Sequence, residues 1–364
     1  MQSATDLSTN RSDTGSQSAA SHRDAGNILR LQKNAPKFPV AALLYLSAWF
    51  VVLWAGIALP SLEDISCFGV LAVKHRILDA APSPKIIIAS GSNSFFGIDG
   101  SMMEQAFHRK VVNMGLCVIF PLSYLLEEIK DSIKPGDVVV MPLEFSFYST
   151  EYLRPLIMSD ILDGYGSAAQ WIVRTDCCTW DDRLKILLHL RANGVRKLDY
   201  ALKHLRQIVQ HRCKWSLGKP NPGLDVINSK NLDASGGLTW HLNRPWNRDG
   251  VERKIGMQVP KGLDEYTINE LNNFNAFCKQ RGATVYLMPP SAYDAMYQRD
   301  KTPIDKIIAQ CKQRVTIPFL SNPGRYAFPD TMIFGGHFHL TGEGRKLRTQ
   351  MMIEDLHGPL SAKP

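Results

Sequence analysis

Two residues, far apart in the chain, have the type and setting for acyl chemistry. Ser92 follows a short apolar, β-branched run, Lys85 to Ala89 (KIIIA), and opens the turn GSNSFFGIDG. A turn at the carboxyl end of a strand exposes its side chain above an α/β sheet, which suits a nucleophile. The backbone N–H groups at the helix start that follows can hold a developing oxyanion. A serine in a Ser/Gly turn is also ordinary turn chemistry, so Ser92 by itself decides nothing. His339 lies in FGGHFHLTGEG, Phe334 to Gly344, a Gly-flanked loop just before the last helical stretch. There an imidazole can reach a neighbouring strand end and act as a general base.

The elements that must position these residues follow a βα grammar. From Lys85 onward, strand-like runs alternate with helical spacing, the pattern of a parallel sheet flanked by helices. Strands are expected at Lys85 to Ala89, Val111 to Asn113, Asp137 to Leu143 (DVVVMPL) and Thr284 to Met288 (TVYLM). Helices are expected from near Ser101, at Leu122 to Ile133, Tyr266 to Arg281, Pro303 to Arg314 and Gly342 to Leu356. Pro135 with Gly136 stops the second of these, and Gly282 caps the third. Residues 147–264 differ in texture, with helical spacing near Arg183 to Lys214 and then a polar, Gly- and Asn-rich stretch. They are expected to form an insertion or cap on an α/β domain built from 60–146 and 265–364. The tryptophans Trp171, Trp180, Trp215, Trp240 and Trp246 fall there; they fit either a carbohydrate groove or plain core packing.

Ahead of this domain, Phe38 to Leu59 runs FPVAALLYLSAWFVVLWAGIAL without a charge. At about 1.5 Å per residue it spans a hydrocarbon core of roughly 30 Å. A buried core helix and a cleaved signal peptide, with Gly56 and Ala58 near the cut, pass the same test. The length of the run and its distance from Met1 favour a retained anchor. Arg23, Arg30, Lys33 and Lys37 precede it and Lys74 is the first basic residue after it, so the N-terminus is expected in the cytoplasm and the domain outside the inner membrane. Residues 1–37 form a polar, Ser-rich tail that cannot offset chain entropy by burial and are expected to be disordered. Trp49 and Trp54 suit the outer interface.

Composition narrows the partners. The chain has 364 residues, a net charge of +8 and no run of five Lys/Arg, so a nucleic-acid footprint gains little support and anionic lipid or polymer explains the charge as well. Seven cysteines show no CxxC pair or zinc spacing; no metal is expected, and in an oxidising compartment the odd count leaves at least one thiol free.

Taken together, the blocks ASGSNSFFGID (Ala89 to Asp99), VVNMGL (Val111 to Leu116) and HLTGEG (His339 to Gly344) resemble those of the SGNH (GDSL-like) hydrolase superfamily. The resemblance is to its membrane-anchored members, linked to acylation or deacylation of bacterial cell-surface polymers. It covers roughly residues 83–145 and 265–356. It implies a three-layer α/β fold with a central parallel sheet, Ser92 as nucleophile, His339 as base, and the Ser92 and Gly115 amides as oxyanion donors. No cofactor is implied. The implied partners are an acylated sugar polymer, the membrane and a membrane-embedded acyl donor protein.

Two departures stand out. The family places an Asp three or four residues before the histidine, where this chain has Gly336 and Gly335; Asp330 is the nearest substitute. The third block normally brings an Asn donor after the DVVV-type strand, where this chain has MPLEF, with Glu144 near that place. Asn93 is a further candidate donor. Because an Asp-to-Asn change in a serine triad costs about 10⁴ in turnover, a scaffold or binding subunit without catalysis is the competing expectation.

Overall fold

The computed structural model describes residues 37–59, 67–150, 154, 156–175, 178–210, 227, 229–243 and 259–361. The tail and most of the polar stretch after residue 210, with Trp215 and Trp246, lie outside the described residues.

Helix α1 (Lys37–Ala58) leads, followed by α2 (Leu71–Ala80) and strand β1 (Lys85–Ile88). Then come α3 (Ser92–Gly97), α4 (Gly100–Phe107), β2 (Lys110–Asn113), α5 (Leu122–Lys130) and β3 (Val138–Met141). The middle of the chain supplies α6 (Ile157–Gly164), α7 (Ala169–Ile172) and the long α8 (Trp180–Val209). Helix α9 (Glu265–Gln280), β4 (Thr284–Leu287), β5 (Ala292–Tyr293), α10 (Asp294–Arg299) and α11 (Lys301–Arg314) follow. Strands β6 (Ala327–Phe328), β7 (Ile333–Gly335) and β8 (His339–Leu340) lead into α12 (Gly342–Ser361).

Strands β1 to β4 form a parallel sheet in the order β2-β1-β3-β4. Every residue of β1 and β3 is buried, as a strand covered on both faces requires, which is why KIII and VVVM read as unbroken apolar runs. Alternate side chains feed two cores. Ile87, Val112, Val139 and Val285 pack on one face with Leu125, Phe274 and Ile307, whereas Ile86, Ile88, Val111 and Val140 pack on the other with Met103, Met352 and Leu356. Helices therefore layer both sides of the sheet.

Helix α1 is the one described helix long and apolar enough to cross a membrane, over Phe38–Ala58 with mean hydropathy 2.1, and its side chains are almost all exposed. That exposure removes the buried core helix as an explanation. Just beyond it, Cys67 and Cys117 form a disulfide; the buried Cys278 and Cys311 are free.

Part of the expected insertion or cap packs closely on the sheet domain. Residues 229–243 do not sit apart from the α/β domain: Asn113 N–H donates to Ser235 O at 2.7 Å, and Lys74 Nζ, fully buried, donates to Asn113 O and Gly236 O at 2.6 and 2.7 Å. Arg345 of α12 pairs with Asp233 at 2.5 Å. These contacts join residues far apart in sequence, so the local composition that suggested a loop insertion carried no trace of them. The tryptophans also divide. Trp171 is buried, stacks on His75 at 4.3 Å and donates to Asp131 at 3.3 Å, so it is a packing residue; Trp180 is exposed and Trp240 half-buried.

Candidate active site

The site forms where β1 ends. Gly91 is the N-cap of α3 and Ser92 its first residue, half-buried at the carboxyl edge of the sheet. The histidine arrives on a hairpin: β7 and β8 pair antiparallel, Gly335 opposite His339. Gly336 makes the turn with φ +67°, a left-handed conformation that favours glycine. Ser291 Oγ donates to Phe338 O and Tyr293 N–H to His337 O, both at 2.7 Å, which ties the turn to the β5 segment. The outcome is a contact across 247 positions: His339 Nε2 and Ser92 Oγ lie 2.9 Å apart.

Burial and the nearby His337 push the His339 imidazole down to about 4, so at neutral pH it is uncharged and Nε2 can accept the serine proton. Its ring lies flat on Phe96, with centroids 4.0 Å apart and planes 6° from parallel. Phe96 stands four residues after Ser92 on α3, one helical turn along, so a single short helix presents both the serine and the surface that orients the imidazole. Among the described residues no carboxylate is hydrogen-bonded to His339 Nδ1. Asp330 lies in the 3₁₀ turn Asp330–Met332 that leads into β7, and no hydrogen bond joins it to His339. The described geometry does not bring Asp330 to His339 as a hydrogen-bond partner. The turn itself explains why no closer carboxylate stands there, because three residues before His339 stands Gly336, the glycine that closes the hairpin.

Glu144, which follows β3, is brought to the site. Its Oε1 accepts Asn93 N–H at 2.8 Å and lies 3.4 Å from Ser92 Oγ. It is fully buried, and desolvation pushes its carboxyl above the ordinary range against the pull of the Asn93 amide. Oε2 has no partner among the described residues. A Cβ on Gly91 would fall 2.2 Å from that oxygen, so only glycine lets the chain pass the carboxyl group.

The expected oxyanion donors are largely engaged. Gly115 N–H donates to Asn113 Oδ1 at 2.9 Å. Asn93 Nδ2 donates to Ser90 Oγ and Pro142 O at 2.8 and 2.9 Å. The Ser92 amide, at the first position of α3, has no acceptor among the described residues and remains the one expected donor able to face a substrate. Neither Gly115 nor Asn93 acts as a free donor here; both instead brace the turn.

Several site residues escaped the sequence. Arg348 of α12 is fully buried and donates from Nη1 to Asn93 O at 2.6 Å and from Nη2 to Asn93 Oδ1 at 2.5 Å. Burial pulls its pKa down to about 10, with Tyr326 and Glu144 opposing, so it stays charged near neutrality. Asn113 Nδ2 donates to Ser94 O at 2.8 Å from the opposite side of α3. His241 Nε2 lies 2.9 Å from Phe96 O, its ring 5.0 Å from that of Phe96. A polar residue closing the apolar run VVN was the one signal pointing to Asn113; nothing local marked Arg348 or His241. Among the described residues no His, Cys, Asp and Glu group is arranged to hold a metal.

No family model, no curated protein and no solved structure matches this chain.

Proposed function

We propose that the chain is a membrane-anchored serine acyl hydrolase or O-acyltransferase of the SGNH kind, acting on ester groups of a cell-envelope or exported polysaccharide. The observation that carries this is the 2.9 Å contact between Ser92 Oγ and a neutral His339 Nε2 at the carboxyl edge of a parallel sheet. In the scheme Ser92 Oγ attacks the ester carbonyl while its proton passes to Nε2, and the Ser92 amide faces the oxyanion. The imidazolium then protonates the leaving alkoxide. Water completes hydrolysis of the acyl-enzyme, or a sugar hydroxyl completes transfer, with His339 again taking the proton. Helix α1 anchors the domain with its N-terminal side in the cytoplasm, and the Cys67–Cys117 disulfide supports an oxidising compartment for the rest. A membrane-embedded acyl donor protein fits a transferase of this kind.

Two observations favour a second reading: among the described residues no carboxylate is hydrogen-bonded to Nδ1 of His339, and the Gly115 amide is already bonded. A non-catalytic scaffold of a polymer-modifying complex keeps this geometry without turnover. Aryl-acetate hydrolysis by the purified chain, with polymer acylation measured in cells, separates the two. The enzyme reading expects Ser92→Ala and His339→Ala to abolish both. Intact polymer acylation with Ser92→Ala, together with its loss on deleting the domain, would establish the scaffold.

A further inference from the structure

Helix α8 presents an apolar stripe that the α/β domain does not cover. Leu184, Leu188, Val195, Leu202, Leu205 and Val209 recur at helical spacing and are all exposed, Leu202 at 72%. The face packed on the domain is a different one. It carries Ile186, Asn193 and Lys197, with Lys197 paired to Asp163 of α6 at 2.7 Å and His189 placed 3.4 Å from Asp160. Exposed stripes of this length on soluble proteins mark something that covers them.

What covers it is indicated by α1. The C-terminal end of α1 rests on the middle of α8, where a Cβ on Gly56 would come within 2.5 Å of the Gly194 carbonyl oxygen and 2.9 Å of Leu198 Cδ1. Lys197 Nζ donates to the last carbonyls of this segment, Ile57 O at 3.0 Å and Leu59 O at 2.7 Å. Leu198 lies between Val195 and Leu202 on the stripe, so the apolar surface of α1 runs directly into that of α8. Charge agrees with a lipid occupant. The helix holds seven Lys and Arg against three Asp; Arg191 and Arg206 are exposed along the stripe, while Lys185 and Lys203 on its flank pair with Asp181 and Asp199. Trp180 at its start is 84% exposed, the residue type that settles at a headgroup boundary. Charges of this number exclude burial of α8 in hydrocarbon and suit an in-plane position at the interface.

We propose that α8 lies on the outer membrane–water interface, its apolar stripe in the acyl-chain boundary and its cations on anionic phosphate headgroups, so that the site is held at a fixed attitude to the bilayer. This rests on α1 as a membrane span. The full-length protein, with Cys177, Cys178 and Cys213 changed to Ser, is reconstituted in phosphatidylcholine vesicles with and without phosphatidylglycerol. Single spin labels are placed by L188C, L202C or, in α1, V51C. Oxygen is expected to collide with the labels at 188 and 202 several-fold more often than a water-soluble nickel chelate does, as at 51, and more so with phosphatidylglycerol present. Nickel preference at 188 and 202 with lipid exposure at 51 would overturn the proposal and leave the anchor standing. Exclusion of both reagents at 188 and 202 would assign the stripe to a protein partner or a second copy and overturn it equally. Water exposure at 51 would remove the anchor and the proposal together, and equal depth without phosphatidylglycerol would overturn the headgroup contact.

Discussion

The imidazole of His339 is oriented by a ring where serine hydrolases use a carboxylate. Stacking on Phe96 fixes the plane, but a flat apolar face does not select which nitrogen carries the proton, and tautomer choice is what the missing Asp would supply. A Cβ at Gly336 would sit 3.7 Å from Nδ1, so Gly336→Asp brings a carboxylate within reach of that atom at a cost of about 1–2 kcal/mol for a left-handed non-glycine residue. The expected outcome is a His339 pKa raised from its depressed value and turnover increased by roughly 10², part of the ~10⁴ associated with the triad Asp. Titration of the His339 ring by NMR, beside kcat, checks it; a raised pKa without a rise in kcat would mean that the tautomer does not limit this site. A second outcome concerns acid. Burial lowers His241 to about 3 and His339 to about 4, both below the ordinary histidine value of 6.5. Between about pH 6.5 and 3 the unfolded chain takes up protons that the folded chain refuses, so stability is full above that window and falls as pH drops through it. Tm measured at pH 7, 5 and 4 should decline, and His241→Asn should flatten the decline; an unchanged slope in that variant would contradict the assignment.

At the scale of elements, α3 is the piece on which the site depends. It is six residues long, too short to persist alone, and is clamped from α12 by Arg348, from β2 by Asn113 and from β3 by Glu144. Removing Arg348 would leave Asn93 Oδ1 with only the long 3.5 Å contact from Ser94 Oγ and the Glu144 carboxyl without its nearby cation, so Arg348→Met should cost about 3 kcal/mol. Urea unfolding of Arg348→Met, alone and with Glu144→Gln, tests the coupling: the arginine change should cost less when Glu144 is already neutral, and strict additivity would show the two to be independent. Much of this frame was readable in advance. Strands β1, β3 and β4 and helices α9, α11 and α12 are runs whose own pattern dictates them, and the α8 start was missed by three residues because the Thr179–Asp182 capping box pulls the helix back to Trp180. Ser92 and His339 were legible because each sits in a distinctive turn. Phe96, Arg348, His241 and the 229–243 segment were not, since their roles come from tertiary contacts between distant parts of the chain, and the bonds that engage the Asn93 and Gly115 donors were hidden because a donor already satisfied looks the same in sequence as a free one.

Over the whole molecule, the apolar helix α1, the disulfide and the long helix α8 lie on the chain around a domain whose Ser92–His339 contact stands at the carboxyl edge of its sheet. The Cys67–Cys117 bond closes a loop of 50 positions, for which chain-entropy arguments give a stabilisation of about 4 kcal/mol. Cys67→Ser with Cys117→Ser should lower Tm of the purified chain while reductant no longer shifts it; equal Tm with and without the bond would show that it is not formed. Reporter fusions after residue 75 should be active outside the cytoplasm and silent within it, and the reverse result would invert the topology. The most direct measurement of the central claim is labelling of the full-length protein in membranes with a fluorophosphonate probe. A single adduct on Ser92 is expected, lost in Ser92→Ala and strongly slowed in His339→Ala. Absence of labelling in the folded wild-type chain, or equal labelling in Ser92→Ala, would contradict it.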